Sequence, residues 1–478
     1  MQPTTTADDP SGHVELRYSI SGNVSVLYQV YCSYMILFRN ADGEDDFLSA
    51  ELLQHSLDVL VCRFYPPVAG WFEAKDGDVE VVCYREQRNE PPFSAQTLEM
   101  DYTEIARHVH ESNTGMFVPD CPRSLIGDGR TAVPMVLAKA TYTADGAAVV
   151  LGVSYHHSLM DGAAFWMFMA NWASVSRQLH AQASEAELRL PYPPAFGVPS
   201  TEHLRSPAQT FEHAEYALVD ASSVLREFKA GPDTIAELVL TVSPEQQDEI
   251  RQQARREGVS FTEMLTAILW KGSSEARIQA RPALAAETTV FSCATNPRAQ
   301  LGLPATQCAS PVVNMAASRA LSEIAQLDVA DVARLVRETI GQCTGPYAAS
   351  SYAFMRAQRR QELADERAGQ PGSKLMLVYV CPAPAKFMLS SSRTFPIYQT
   401  DFGFGLPALV RAPFIPFDGC VRIWPTPHYS PAPGAPRAPL EVYLSLPDYV
   451  DPQSTPLLRQ FMPLPAANQS AESEPPHS

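Results

Sequence analysis

The 478-residue chain is 45% hydrophobic and 19% charged, an ordinary composition for a globular protein, and its length predicts two or three domains. Its net charge of −17 argues against nucleic-acid binding, because neutralising phosphates requires a basic surface. No apolar run reaches the ~18–20 residues of a membrane span, and nine cysteines without a Cys-x-x-Cys pair or an apolar leader favour reduced thiols in a cytoplasmic protein.

The first half of the sequence mixes helical and strand-like patterns. Residues 1–12 are expected to be disordered. Apolar residues then recur at helical spacing through 51–60, and the pattern stops at Pro66, because proline cannot continue a helix. Apolar runs predict strands at 79–84, 135–142 and 147–153, the last two joined by a hairpin turn at 144–146. A largely buried helix is predicted over 163–177.

A proline-rich connector divides the chain. Four prolines within 190–199 favour a stiff, extended segment, and polar sequence continues to about residue 233. We therefore expect a disordered N-terminus at 1–12, an N-terminal domain at 13–190 and a crossover linker at 191–234. A C-terminal domain at 235–462 and a disordered tail at 463–478 are expected to follow.

The second half begins with a predicted strand at 235–242. Ser243 and Pro244 mark the start of a helix over 244–257, and Ser260 and Glu263 form a capping-box pattern before another helix. Further runs predict a helix at 329–343 and strands at 375–380 and 440–446. Because helices and strands alternate irregularly, we expect a mixed α+β or α/β fold.

The most informative motif is His-His-Ser-Leu-Met-Asp-Gly at 156–162, directly after the strand at 147–153. A histidine at a strand end can face a cleft and act as a general base, since imidazole titrates near neutral pH. Two other interpretations stay open on the motif alone. One is a core histidine beside a helix-capping aspartate. The other is a metal pair, for which no Cys/His cluster supplies further ligands.

A second motif, Asp-Phe-Gly-Phe-Gly at 401–405, predicts a tight turn around an aromatic residue. Asp-Phe-Gly also occurs in the metal-binding loop of protein kinases, but the other kinase motifs are absent from the sequence. The sequence also contains no phosphate-binding Gly-x-x-x-x-Gly-Lys loop, nucleophile elbow or His-Glu-x-x-His helix. No metal site is therefore expected.

Together, the two motifs resemble those of the BAHD superfamily of acyl-CoA-dependent acyltransferases, including its fungal trichothecene O-acetyltransferase-like branch. The histidine motif is shared with chloramphenicol acetyltransferase and condensation domains, and the second motif separates the family from both. Weaker similarity runs through residues 14–447, in segments such as 64–70, 296–298 and 395–398. Phe404 stands where the family has tryptophan.

The resemblance implies two chloramphenicol-acetyltransferase-like domains, each a mixed sheet with helices, with an active-site channel at their interface. It implies transfer of an acyl group from acyl-CoA to a small-molecule hydroxyl, with His157 as general base and no permanently bound cofactor. Structural support of the site is expected from Asp161, Gly162, Arg298, Asp401, Gly403 and Gly405, and the resemblance implies that Asp161 pairs with Arg298. Candidates for substrate or CoA contacts are Asn314, Ser390 and Ser391.

Alternative functions are an N-acyltransferase or condensation-type amide-forming enzyme, and a non-catalytic acyltransferase-like binding protein. A covalent acyl-enzyme is not expected, because no serine or cysteine stands beside the histidines in a nucleophile motif. Basic residues on two helices of the second half could contact CoA phosphates, although solvent-exposed helix faces are the favoured interpretation. These residues are Arg251, Arg255, Arg256 and Lys271. We expect a monomer.

Overall fold

A computed structural model describes residues 14–19, 30–75, 78–84, 86–111, 114–122, 129–131, 133–196, 211–220, 235–369, 373–377, 385–429 and 438–462. The terminal segments that the sequence predicts to be disordered lie outside these residues. Within the described ranges, no helix has the length and apolar character needed to cross a membrane.

The first half of the chain, residues 14–196, contains most of the elements that the sequence predicts there. Its strands are β1 (Val14–Ser19), β2 (Tyr31–Arg39), β3 (Trp71–Lys75), β4 (Asp78–Tyr84), β5 (Phe93–Leu98), β6 (Gly129–Thr131), β7 (Val136–Thr143) and β8 (Ala148–His156). Its α-helices are α1 (Ala50–Phe64), α2 (Tyr102–His110), α3 (Thr114–Phe117) and α4 (Gly162–His180). Strand β8 continues three residues beyond the predicted apolar run and ends at the first histidine of the motif.

The second half of the chain, residues 211–462, also contains both strands and helices. Its strands are β9 (Tyr216–Asp220), β10 (Ile235–Val242), β11 (Thr288–Thr295), β12 (Val313–Ala320), β13 (Ser373–Leu377), β14 (Ala385–Ser391), β15 (Leu409–Arg411), β16 (Cys420–Pro425) and β17 (Leu440–Pro447). Its α-helices are α5 (Pro244–Glu257), α6 (Phe261–Ala280), α7 (Leu321–Gln326), α8 (Val329–Gly341), α9 (Gly345–Arg367) and α10 (Pro456–Arg459). The strand predicted at 375–380 begins two residues earlier, and its residues 378–380 lie outside the described part.

Local signals in the sequence set several helix ends as predicted. Ser243 and Ser260 each complete a capping box, at the starts of α5 and α6. Helix α5 then ends at Gly258, whose φ of 67° is left-handed and suits glycine. Because these signals act over three or four residues, they do not depend on the rest of the fold.

A five-stranded sheet carries the first half of the site. The strand order of this sheet is β15-β2-β8-β7-β5, so β8 is the central strand. All nine residues of β8 are buried. Strands β2 and β8 are antiparallel, with Cys32 opposite Tyr155 and Tyr31 opposite His156. The edge strand β15 comes from the second half of the chain and pairs with β2. A second sheet of the first half has the order β1-β4-β3-β6.

The second half is built on a mixed six-stranded sheet with the order β10-β17-β16-β14-β11-β12. Strand β14 runs parallel to both β11 and β16, and the remaining pairs are antiparallel. Side chains of this sheet reach the core of the first half. Trp424 lies with its ring centroid 5.7 Å from that of Tyr34 and 6.1 Å from that of Trp166. The two halves are therefore held together by buried aromatic packing.

The described residues of the predicted crossover, 191–196 and 211–220, contact elements that follow residue 235. Its strand β9 pairs with β13. Beside that strand, the buried carboxylate of Glu215 accepts a hydrogen bond from the Tyr347 hydroxyl at 2.6 Å and lies 2.9 Å from Nδ1 of His213. Earlier in the crossover, Ala195 forms an isolated bridge with Gln307. This last contact places the start of the connector against a loop that also reaches the histidine motif.

Candidate active site

His157 lies in a tight turn between β8 and α4. Its backbone N–H donates to the carbonyl of Val30 at 2.9 Å, which ties the turn to the residue before β2. The next hydrogen bond, from Leu159 N–H to the His156 carbonyl at 3.0 Å, reverses the chain. His157 is partly exposed, whereas its neighbours on both sides are buried. The strand thus presents one imidazole at the end of a rigid support.

Asp161 is the N-cap of α4. Its Oδ1 accepts the backbone N–H of Ala164 at 2.9 Å, as the sequence predicts for an aspartate before a helix. Its own N–H donates to the carbonyl of Ala309 at 3.1 Å. Asp161 therefore links the end of the histidine turn to a loop of the second half.

The carboxylate of Asp161 also pairs with Arg298, as the resemblance implies. Nη1 of the guanidinium lies 2.5 Å from Oδ2, and Nη2 lies 3.1 Å from Oδ1, a bidentate arrangement. The two side chains are 3% and 6% exposed. Arg298 also donates to the carbonyls of Gln307 and Ala309, each at 2.9 Å, and to Oδ1 of Asn296 at 3.0 Å. A buried ion pair this completely hydrogen-bonded is suited to holding a loop in one place.

The His157 ring has hydrogen-bonding neighbours on the main chain and on Ser310. A hydrogen bond between the ring and the backbone of His157 itself helps to raise the pKa of the imidazole. The Ser310 hydroxyl lies 3.5 Å from Nδ1, at the outer limit of hydrogen bonding. The Ser310 contact therefore involves Nδ1, and the proton of the neutral ring can reside on either nitrogen.

Cys32 lies beside His157 on the neighbouring strand. Because Cys32 is opposite Tyr155 in the β2–β8 register, and His157 follows Tyr155 by two residues, the three side chains share one face of the sheet. The thiol interacts with both the imidazole and the Tyr155 hydroxyl. Cys32, like His157, is partly exposed. The site therefore holds a thiol and an imidazole in close proximity.

The thiol and the imidazole change each other's pKa. Burial by itself would raise the pKa of Cys32, but the positive charge of the His157 imidazolium lowers it. Burial would lower the pKa of His157, but the Cys32 thiolate and, more weakly, Asp161 raise it to about 9. The two groups therefore share one proton, and both shifts favour the form in which Cys32 is a thiolate and His157 an imidazolium.

His156, which the sequence left without a role, points to the opposite face of the sheet. It is fully buried, with its ring centroid 4.7 Å from that of Phe72 and 5.0 Å from that of Tyr31. Its Nδ1 accepts the backbone N–H of Ser158 at 3.3 Å. The His156 side chain therefore packs on the face of the sheet opposite to Cys32 and supports the turn from that side.

Gly162 begins α4 where another chain segment approaches closely. A Cβ at this position would lie 3.0 Å from the ring of Phe395, which is tighter than ordinary packing. Phe395 belongs to the segment that leads into the second motif. Glycine thus lets that segment approach the first turn of the helix that follows His157.

The second motif forms the tight turn that its glycines predict. Oδ1 of Asp401 accepts the N–H groups of Gly403 and Gly405 at 2.8 and 3.0 Å, and both glycines have positive φ, 116° and 98°. Phe402 is buried against Phe38 and Trp172 of the first half. Phe38 lies near the end of β2 remote from Cys32. The motif therefore docks the two halves at a distance from His157.

The candidate substrate residues lie on two strands of the second half. Asn314 is buried in β12, four residues after Ser310. Ser390 is exposed at the end of β14 and is paired in register with Arg422, while Ser391 is partly buried. Arg422 lies close enough to Cys32 to lower the pKa of its thiol. These contacts place Ser390 on the side of the second sheet that faces the first half.

Two of the basic residues considered for CoA phosphates already have partners. Arg251 lies 3.2 Å from Asp248, and Lys271 lies 2.9 Å from Glu275. Among the described residues, no group of three or more His, Cys, Asp or Glu side chains is arranged to hold a metal ion.

The sequence reasoning missed Cys32 and Ser310, which both approach the His157 ring. Cys32 lies 125 positions from His157 along the chain, and Ser310 lies 153 positions away. The alternation of side chains along β2 could have indicated the face of Cys32, but only the strand pairing brings it to the histidine.

Comparisons with known proteins agree on one family and one fold. The profile of the Transferase family matches residues 2–434. The chain is 22% identical to Hydroxycinnamoyltransferase of Narcissus pseudonarcissus, covering 81% of this chain and 84% of that protein. It is 24% identical to Putrescine hydroxycinnamoyltransferase 1 of Oryza sativa subsp. japonica, covering 82% and 84%. The structure of F. sporotrichioides TRI101 complexed with coenzyme A and T-2 superposes with a TM-score of 0.65 at 17% identity, covering 94% of this chain and 99% of that one. This likeness confirms the predicted fold.

Proposed function

The chain belongs to the Transferase family, the BAHD acyltransferases, and it transfers an acyl group from acyl-CoA to a small molecule; we propose that His157 is its general base. We further propose that the acceptor is a hydroxyl group of a secondary metabolite. The observation that carries the assignment is the His157 ring, partly exposed at the end of a buried strand in a turn that the Asp161–Arg298 pair holds in place.

The proposed reaction is direct transfer. The imidazole of His157 removes the proton from the acceptor hydroxyl as the hydroxyl oxygen attacks the thioester carbonyl. The tetrahedral oxyanion then collapses, the carbon–sulfur bond breaks, and CoA leaves as a thiolate that takes the proton back from the imidazolium. General-base catalysis of this kind contributes about 10²–10⁴-fold to the rate. Asn314, Ser390 and Ser391 remain candidates for contacts with the acyl donor.

The protonation state of the Cys32–His157 pair bears on this chemistry. His157 can accept a proton only as a neutral imidazole, which is the form it has when Cys32 holds the shared proton as a thiol. The thiol is then a neighbour of the base and takes no part in the transfer. Higher pH removes the shared proton and also leaves His157 neutral, so the base form becomes more abundant.

Asp161, Gly162 and Arg298 are proposed to position the base. The bidentate pair of Arg298 with Asp161 joins the turn that bears His157 to the loop that bears Ser310. We propose that the turn containing Asp401, Gly403 and Gly405 supports this arrangement from farther away, by docking Phe402 into the first half. None of these side chains needs to touch the substrate.

We propose that the substrates reach His157 through a channel between an N-terminal domain, 13–190, and a C-terminal domain, 235–462. The Asp161–Arg298 pair and the approach of Ser310 to His157 support a site at that boundary, because each joins residues of both halves. We also propose a cytoplasmic monomer. Eight free cysteines within the described residues are in keeping with a reducing compartment.

The function is tested by measuring CoA release with a thiol reagent, using acetyl-CoA and longer acyl-CoA donors against a panel of alcohols and amines. Release that requires an alcohol supports the proposal, and product mass identifies the ester. Release only with amines would favour the N-acyltransferase alternative. Amines are included because one relative is named Putrescine hydroxycinnamoyltransferase 1. Acyl-CoA binding without release for any acceptor would favour the non-catalytic alternative.

A further inference from the structure

Cys32 differs from the other thiols near the site. Burial raises the pKa of Cys121, and it raises the pKa of Cys308 to about 12. The imidazolium of His157 instead lowers the pKa of Cys32. Because the thiolate is the reactive form of cysteine, Cys32 is the most nucleophilic of these three partly exposed thiols.

The position of Cys32 brings it to the place where CoA must react. Its side chain shares a face with Tyr155 and His157, and both Cys32 and His157 are partly exposed. During acyl transfer the thioester sulfur must lie within reach of a hydroxyl that His157 deprotonates. A CoA sulfur bound for transfer is therefore also near the Cys32 sulfur.

We propose that Cys32 is a modification site that forms a mixed disulfide with coenzyme A, and that this adduct blocks His157. The proposal rests on the proposed function, because it takes the CoA position from the transfer reaction. It adds a thiol–disulfide exchange for which the transfer reaction has no use, and it makes the enzyme sensitive to oxidised CoA.

The exchange is balanced with CoA disulfide as the oxidant. The Cys32 thiolate attacks one sulfur of the CoA disulfide, a Cys32–CoA disulfide bond forms, and the CoA–CoA disulfide bond breaks. One CoA leaves as a thiolate and takes up a proton at neutral pH. Excess dithiothreitol reverses the reaction by a second exchange. The bound CoA then occupies the approach to His157, so no acyl-CoA can be placed there.

The experiment treats the reduced, full-length protein with CoA disulfide, removes the reagent, and measures residual acyl transfer and intact mass. We expect time-dependent loss of activity, addition of one CoA per chain, assignment of the adduct to Cys32 by peptide mapping, and recovery with dithiothreitol. S-ethyl-CoA cannot exchange and should slow the loss by competition. Glutathione disulfide should inactivate the enzyme at about one tenth of the rate or slower, since no site holds it near the thiol.

A matched control is Cys121. Its thiol contacts Ser33 and Ser154, and Ser33 alternates with Cys32 along β2, so Cys121 lies at the opposite face of the sheet. Cys121→Ala should be inactivated like the wild type. Cys32→Ala should keep its own starting rate after treatment and gain no CoA.

Three outcomes would overturn the proposal: an adduct that maps to another cysteine, inactivation of Cys32→Ala at the wild-type rate, or equal reactivity toward glutathione disulfide. Peptide mapping of the wild type decides the question even if Cys32→Ala does not fold. Failure of the proposed function would be seen separately, as an untreated protein that releases no CoA with any acceptor.

Discussion

The guanidinium of Arg298 donates hydrogen bonds of 2.5 and 3.1 Å to the two carboxylate oxygens of Asp161, which lies 137 positions away along the chain. Asp161 uses the same carboxylate to cap α4, and Arg298 uses its remaining donors on the loop that carries Ser310. One buried pair thus fixes both chain segments that flank the His157 ring. Its strength should decide how well the base is held.

Asp161→Asn should lower stability and activity together. The amide cannot balance the buried guanidinium, and removal of one partner of a buried ion pair costs about 3–5 kcal/mol. Urea unfolding should show this loss in the free energy of unfolding, and kcat should fall because the His157 turn is less well held. An unchanged unfolding midpoint with lost activity would instead indicate that Asp161 acts directly in catalysis.

An exposed ion pair provides the control for that measurement. Arg107 and Glu111 lie 3.1 Å apart at i,i+4 spacing, with side chains 53% and 45% exposed. Glu111→Gln should therefore cost about 0.5 kcal/mol or less. A similar loss in the free energy of unfolding from both substitutions would mean that burial of the Asp161–Arg298 pair adds nothing to its effect on stability.

His157→Ala should reduce kcat by about 10²–10⁴-fold, which is the contribution expected of a general base. His157 is partly exposed, so the fold should tolerate the change, and circular dichroism can verify this. His55→Ala, at an exposed position of α1, is the control and should leave the rate unchanged. Near-normal turnover by a folded His157→Ala protein would rule out the proposed mechanism.

The pH dependence of the rate should reveal the Cys32–His157 pair. The base must be neutral, and the Cys32 thiolate raises the pKa of His157 to about 9, so the rate should increase with pH through that value. In Cys32→Ala the thiolate is gone, so the pKa of His157 falls, although Asp161 and the backbone hydrogen bond still raise it against the effect of burial. The rising limb of kcat/KM should then move from near pH 9 to lower pH. Identical profiles in the two proteins would exclude electrostatic coupling between the residues.

Asp401→Ala should weaken the docking of the second motif and leave the chemistry of the base unchanged. The substitution removes the acceptor for two backbone N–H groups, at a cost of about 2 kcal/mol given the partial exposure of the carboxylate. Asp401→Asn keeps an acceptor oxygen and should lose about half as much. Unfolding experiments measure both, and the pH profile of the rate should keep its wild-type midpoint. A shifted midpoint would mean that the motif acts on His157 itself.

Much of the local structure could be predicted because its causes lie within a few residues. The capping of α4 by Asp161, the capping boxes of α5 and α6, and the turn around Gly403 and Gly405 all follow from side chains that bond to nearby backbone groups. The apolar run before the histidine motif likewise predicted β8, although the strand continues to His156. The pairing of Asp161 with Arg298 came from the family resemblance and could not have come from spacing.

The sequence by itself determined the histidine motif, the helix that follows it and the family to which both point. Tertiary structure decided which groups surround the imidazole. The antiparallel pairing of β2 with β8 sets Cys32 beside His157 and turns His156 to the other face, because a strand alternates its side chains and a one-residue shift would exchange them. It also placed β15 of the second half at the edge of the first sheet. Such contacts depend on packing between residues more than a hundred positions apart, and no local pattern in the chain encodes them.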